Sequence, residues 1–188
     1  MTSEIYQASS AQKRIYLLNR LQGDSILYNI PQAWIIDGTL DKKKLENALK
    51  FLKERQESLR TSFTEKDGIV FQQIHSEIKV EIHILSTTNE TIEKVLANFT
   101  RPFNFENPPL WRVGILELGK EKNALLLDIH HIISDGISAG IFIYELITLY
   151  AGGELPQLEF QYVDFTTWQN KMFESDSMKE QEKYWVKV

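Results

Sequence analysis

The stretch that most constrains this chain is Ile129-His130-His131-Ile132-Ile133-Ser134-Asp135-Gly136. Before it runs an apolar, strand-like segment over residues 124–129. After it comes a long apolar helix over 137–150. Strand, imidazoles, acid, glycine and helix follow in that order. The arrangement sets a group that exchanges protons near neutral pH beside a helix N-terminus. Neighbours on a strand point to opposite faces. His130 and His131 therefore cannot both face one pocket, and one is expected to be reactive and the other a structural prop. Asp135 can cap the helix or pair with a cation. Gly136 lets backbone or ligand approach closely. A buried histidine pair with a capped helix behind it satisfies the same spacing.

The 188 residues suffice for one sizeable core, and 43% hydrophobic with 25% charged content fits an ordinary globule. The net charge of −5 argues against a general nucleic-acid grip. With no cysteine there is no disulfide, thiol nucleophile or Cys-based zinc site, which suits a cytoplasmic chain. No secretory leader is visible, and no apolar run reaches about 18 residues, so no membrane span is expected. His75 and His83 lack the clustered carboxylates or thiols of a metal site, and none is expected.

The remaining pattern alternates strands and helices. A serine caps a first helix opened by Ser9-Ser10-Ala11-Gln12-Lys13-Arg14, with Ala11, Ile15 and Leu18 on its inner face and Gly23 as its stop. Gln12 and Arg14 read as exposed helix polarity. A strand spans 32–36. Asp41 caps a helix burying Leu45, Ala48, Leu49 and Leu52, with Lys42, Lys43 and Lys44 in solvent or against an acidic partner. The segment 55–63 leads into a strand with Arg60 opposite Leu59, Thr61 and Phe63. Asp67-Gly68 closes a hairpin, and strands are expected over 69–74 and 79–84. Thr88 or Asn89 caps a helix with Ile92, Val95, Leu96 and Phe99 inside. Strands over 111–118 and 123–130 pair across residues 119–122. The helix over 137–150 is apolar nearly all round and is expected to be buried on more than one side. A further amphipathic helix starts near Lys179. A buried Asp135 would need a cation, and Arg60 is the candidate, since a guanidinium can hold both carboxylate oxygens.

Four segments together resemble the condensation domains of nonribosomal peptide synthetases, of the chloramphenicol acetyltransferase-like superfamily. His130-His131-x-x-x-Asp135-Gly136 is similar to their HHxxxDG motif. Ser10, Ala11, Gln12, Arg14 and Tyr16 resemble the first family motif. Arg55-Gln56-Glu57-Ser58-Leu59-Arg60-Thr61-Ser62-Phe63 resembles RHExLRTxF, with Gln56 replacing the usual histidine. Tyr162-Val163-Asp164-Phe165 with Trp168 resembles YxDFxxW. Residues 102–112 resemble a PF(D/N)…PLLR element that carries Arg112.

The resemblance implies an α/β fold, a mixed β-sheet flanked by helices. Residues 1–175 would form an N-terminal lobe, and 176–188 would begin the connection to a C-terminal lobe absent from this chain. The complete domain would join a donor acyl thioester to an acceptor aminoacyl thioester. Both ride on phosphopantetheine arms of carrier proteins, with an adenylation domain adjacent and no cofactor bound directly. The resemblance implies His131 as the reactive group, with His130, Asp135 and Gly136 completing the site. It also implies Arg60, paired with Asp135, and Arg112 as structural supports, and Ser10, Gln12 and Arg14 near the acceptor-side channel. One lobe alone is expected to form no amide. An epimerisation domain, a related acyltransferase and a non-catalytic carrier-recruitment module remain as alternatives; heterocyclisation is disfavoured because its motif has aspartate in place of the histidines.

Overall fold

The computed structural model describes residues 4–23, 25–86 and 90–187. Its main layer is a four-stranded mixed sheet of β2 (Asn29–Asp37), β7 (Lys122–His130), β6 (Trp111–Gly119) and β5 (Ile82–Ser86), in that order. β2, β7 and β6 are antiparallel, and β5 joins β6 in parallel. A second sheet orders β1 (Glu4–Gln7), β4 (Ile69–Ile74) and β3 (Thr61–Lys66). The α/β expectation of a mixed sheet flanked by helices is met.

β7 is the central support because both its faces are covered. Leu125, Leu127 and Ile129 pack against α2 (Lys42–Arg55) and α4 (Gly136–Tyr150), together with Trp111 and Phe142. Ala124 and Leu126 face α3 (Ile92–Phe99) through Val95 and Phe99. A strand covered on both faces needs no alternation of polar residues, so its sequence is a continuous apolar run. The exception is Asp128, fully buried and opposite Arg112 across the β6–β7 pair. Arg112 Nη1 donates to Asp128 Oδ2 at 2.7 Å, Asn29 Nδ2 donates to both carboxylate oxygens at 3.0 Å, and the Arg101 N–H adds a longer contact. Burial pushes the Asp128 carboxyl up, while Arg112 and Asn29 pull against that shift.

Local chemistry sets the helix starts. Ser9 and Gln12 form a reciprocal capping box on α1 (Ser10–Gln22), Asp41 caps α2, and Asp135 caps α4. Thr91 caps α3; the expected caps Thr88 and Asn89 lie outside the described residues. Asp67 and Gly68 both have positive φ, which gives the β3–β4 hairpin the twist its strands require. α5 (Tyr162–Phe173) and α6 (Asp176–Trp185) complete the chain.

Several expectations are corrected. Of the face expected on α1, Ile15 packs against the core and Leu18 is half-buried, but Ala11 is exposed and the fully buried residues are Gln12, whose amide the capping box draws inward, and Tyr16. Leu59 and Arg60 lie in a 3-10 turn, Glu57–Arg60, and not on an alternating strand. The strand expected from Lys79 begins only at Ile82. α4 is buried on one side only: Ile137 is 77% exposed, with Ile141, Tyr144 and Ile147 on the same open face. Its one charged residue, Glu145, is buried and accepts from Arg55 and from Gln56, which fastens α4 to the end of α2.

Breaking the buried Arg112–Asp128 pair from one side strands a charge. Arg112→Met is expected to cost about 3–5 kcal/mol. The double substitution Arg112→Met with Asp128→Leu should recover most of that loss. Chemical denaturation of the three chains measures both effects.

Candidate active site

The site lies where β7 runs out between the two sheets. His130 is the last residue of β7, and its backbone N–H donates to the Leu110 carbonyl at 2.9 Å. The His131 N–H donates to the Tyr28 carbonyl at 2.8 Å, and the Ile133 N–H closes a tight turn onto the His130 carbonyl at 3.1 Å. Strand alternation then separates the two imidazoles. His130 is fully buried, facing the 101–105 loop on the same side of the sheet as Asp128, and His131 is exposed. Ile132 turns back into the core with Phe105, Leu110 and Phe63.

The two rings have different chemistry available. His130 is neutral at any ordinary pH: burial, helped by the adjacent His131, pushes its pKa from 6.5 down to about 4. It cannot shuttle protons near pH 7, and no solvent reaches it. His131 is the imidazole open to a reactant.

Asp135 is exposed and begins α4, as the sequence suggested, but not as a partner of Arg60. Its Oδ1 accepts from the Ser138 N–H at 2.8 Å and the Ser138 hydroxyl at 2.7 Å. These bonds hold its carboxyl below the usual carboxylate range. Arg60 instead donates to the His75 carbonyl at 2.7 Å and pairs with Glu57 at 3.2 Å. An exposed aspartate at a helix start is satisfied by backbone donors and needs no cation. The acid that needs one is Asp128, and its cation is Arg112, the second arginine singled out from the sequence.

Gly136 opens α4 with nothing within 4 Å of a Cβ built there, so the space over this backbone is free. A shallow trough of about 470 Å³ runs beside it, between β2 and α4, lined by Gln32, Trp34 and Gly140 among others. The acceptor-side candidates diverge. Gln12 is buried in its capping box, whereas Ser10 and Arg14 are exposed. The Ser10 N–H donates to Gln169 at 3.0 Å, and the Ser9 hydroxyl meets that of Tyr162 at 2.9 Å, so the first and fourth motifs meet in space. Gln56, at the position of the family's histidine, donates to buried Glu145 at 2.8 Å.

Residues not foreseen as part of the site are Phe103, Phe105 and Tyr28, which wall in His130, and Asn29 and Asp128 behind them. The signal for Asp128 was legible: a lone acid inside Ala124-Leu125-Leu126-Leu127-Asp128-Ile129 has to be paired. Among the described residues no three His, Cys, Asp or Glu side chains converge as a metal site, and no helix is long and apolar enough to cross a membrane.

The covered central strand thus ends in one buried and one open imidazole ahead of a capped helix. The sequence profile described as Condensation domain matches residues 2–188, and the chain belongs to that family. It is 44% identical over 183 residues to tyrocidine synthase 3 of Brevibacillus parabrevis, covering 97% of this chain and 3% of that protein. Gramicidin S synthase 2 of Aneurinibacillus migulanus is 45% identical over 185 residues, covering 98% and 4%. Among solved structures, the X-domain in its complex with OxyB from teicoplanin biosynthesis superimposes with a TM-score of 0.88 at 25% identity, over 98% of this chain and 43% of that one. The starter condensation domain of rhizomide synthetase RzmA gives 0.83 at 23% identity, over 98% and 49%. The chain thus spans a few per cent of these synthases and less than half of each solved neighbour.

Two outcomes follow from the geometry. Asp135→Ala is expected to cost about 1 kcal/mol, the loss of one N-cap, with Arg60 unmoved; thermal denaturation together with a structure of the variant checks this. His130 gives a pH dependence of definite sign. Because its folded pKa is depressed, its contribution is complete above about pH 6.5, where both states are neutral. As pH falls toward 4 the unfolded chain takes a proton that the folded ring refuses, and about 3 kcal/mol is lost. Stability measured from pH 8 to pH 4 should show this decline, reduced in His130→Phe.

Proposed function

We propose that this chain is the N-terminal lobe of an amide-forming condensation domain, spanning residues 1–175, with 176–188 leading toward a second lobe. Donor and acceptor are thioesters on the phosphopantetheine arms of two carrier proteins, with an adenylation domain adjacent. No cofactor is bound directly. The observation that carries the reading is the exposure of His131 directly ahead of the Asp135-capped start of α4, within the complete HHxxxDG spacing.

The acceptor amine attacks the donor thioester carbonyl. A carbon–nitrogen bond forms, and the carbonyl π electrons move to oxygen. On collapse the carbon–sulfur bond breaks, the thiolate leaves on the donor arm, and the amide remains on the acceptor arm. His131 orients the amine, takes its proton as the tetrahedral intermediate forms, and returns it to the leaving sulfur. An α-amino group has an ordinary pKa of about 7.8, so freeing it at pH 7 costs only about 1 kcal/mol. A positioned general base typically contributes about 3–5 kcal/mol. Proton removal during bond formation, and not beforehand, is therefore the step in which His131 matters. The Gly136 N–H and the positive end of α4 favour charge developing on the carbonyl oxygen. Asp135 tempers that field while fixing where α4 begins.

His131→Ala in the complete two-lobed domain, assayed with carrier-bound thioesters, is expected to lower turnover by about 10²–10⁴-fold. A loss below about tenfold would remove His131 from the chemistry. The 188-residue chain alone should form no amide, since a channel needs a second wall; condensation by this chain would contradict the assignment.

A further inference from the structure

The hydrogen bonding of His130 fixes where its proton sits. Nδ1 accepts the Ile132 N–H at 3.1 Å, so Nδ1 carries a lone pair and the single proton of the neutral ring is on Nε2. The opposite tautomer would set two N–H hydrogens against each other and leave the Ile132 N–H buried without an acceptor. Among the described residues Nε2 has no oxygen or nitrogen partner. Aromatic rings surround the imidazole. Phe105 lies edge-to-face with the imidazole at 4.6 Å and 74°, Phe103 at 6.0 Å and 87°, and Tyr28 at 6.4 Å and 50°. An aromatic face is electron-rich and can accept an N–H weakly.

The cage is itself held. Phe105 packs against Tyr16 at 5.7 Å and Phe63 at 6.3 Å, and its carbonyl accepts the Phe63 N–H at 2.8 Å. The Arg112 guanidinium lies 3.8 Å over the Phe103 ring and donates to the Arg101 and Pro102 carbonyls. The ion pair with Asp128 therefore anchors the loop that walls in His130.

We propose that Phe105 is a positioning residue for His131: its ring, packed against the imidazole, keeps His130 Nδ1 on the Ile132 N–H, and that bond fixes the tautomer and sets the turn from which His131 projects. The step from turn to turnover rests on the function proposed above; the tautomer does not. Phe105 touches no reactant, and its effect passes through His130 and the backbone.

The test uses ¹⁵N-histidine labelling of this chain and long-range ¹H–¹⁵N correlation at pH 7. Wild type is expected to show a single His130 tautomer, protonated at Nε2. Phe105→Leu keeps apolar bulk but removes the ring, and should let the imidazole leave the Ile132 N–H, so that both tautomers are populated; Phe105→Tyr keeps the ring and should retain one. In the two-lobed domain Phe105→Leu should lower kcat about tenfold while KM changes less than about twofold, with Phe105→Tyr near wild type. A wild-type Nδ1–H tautomer, or an unaltered His130 signature in Phe105→Leu, overturns the proposal. If Phe105→Leu does not fold, the wild-type tautomer and the Phe105→Tyr spectrum still decide it. Full turnover by His131→Ala, with the tautomer intact, would instead overturn the function proposed above, so the two failures are distinct.

Discussion

One buried imidazole organises the working end of this lobe. His130 ends the central strand with its ring sealed among aromatic side chains and its Nδ1 holding the Ile132 N–H. That bond and the His130–Ile133 backbone bond turn the chain sharply. Strand alternation does the rest: once one imidazole is drawn inward, its neighbour must face out. The penalty that depends on pH appears only when acid would protonate the buried ring, so the arrangement is most stable near neutrality and weakens below.

Behind the ring stands a second polar element. Asp128 on β7 and Arg112 on β6 are cross-strand partners, and Arg112 reaches past the acid to the carbonyls of the 101–105 loop. A buried ion pair adds little net stability over a well-packed apolar pair. Here it specifies where a loop lies, which the apolar core alone would not fix. Pair, loop, cage, ring and turn form a continuous series of contacts that ends at the exposed His131.

Much of this was legible in the sequence, for identifiable reasons. The run before His130 reads as a strand in the sequence, and the structure explains its continuous apolarity by covering both its faces. The caps Ser9, Asp41 and Asp135 and the Asp67-Gly68 hairpin follow from local chemistry that needs no tertiary knowledge. The partner of Arg60 was not legible. Pairing it with Asp135 assumed that the acid was buried, and burial depends on which elements cover it. The same limit applies to α4: apolar residues all round a helix do not reveal that Ile137, Ile141, Tyr144 and Ile147 lie uncovered. Gln12 misled in the other direction, since a polar amide was read as exposed when its capping box takes it inside.

The division of labour between adjacent histidines is the central claim, and carbethoxylation with diethyl pyrocarbonate tests it directly. Fragmentation mass spectrometry can assign the label to either residue in the folded chain at pH 7. Rapid labelling of His131, with His130 protected until the chain is unfolded, is the expected result. Equal labelling of the two, or labelling of His130 first, would contradict the account.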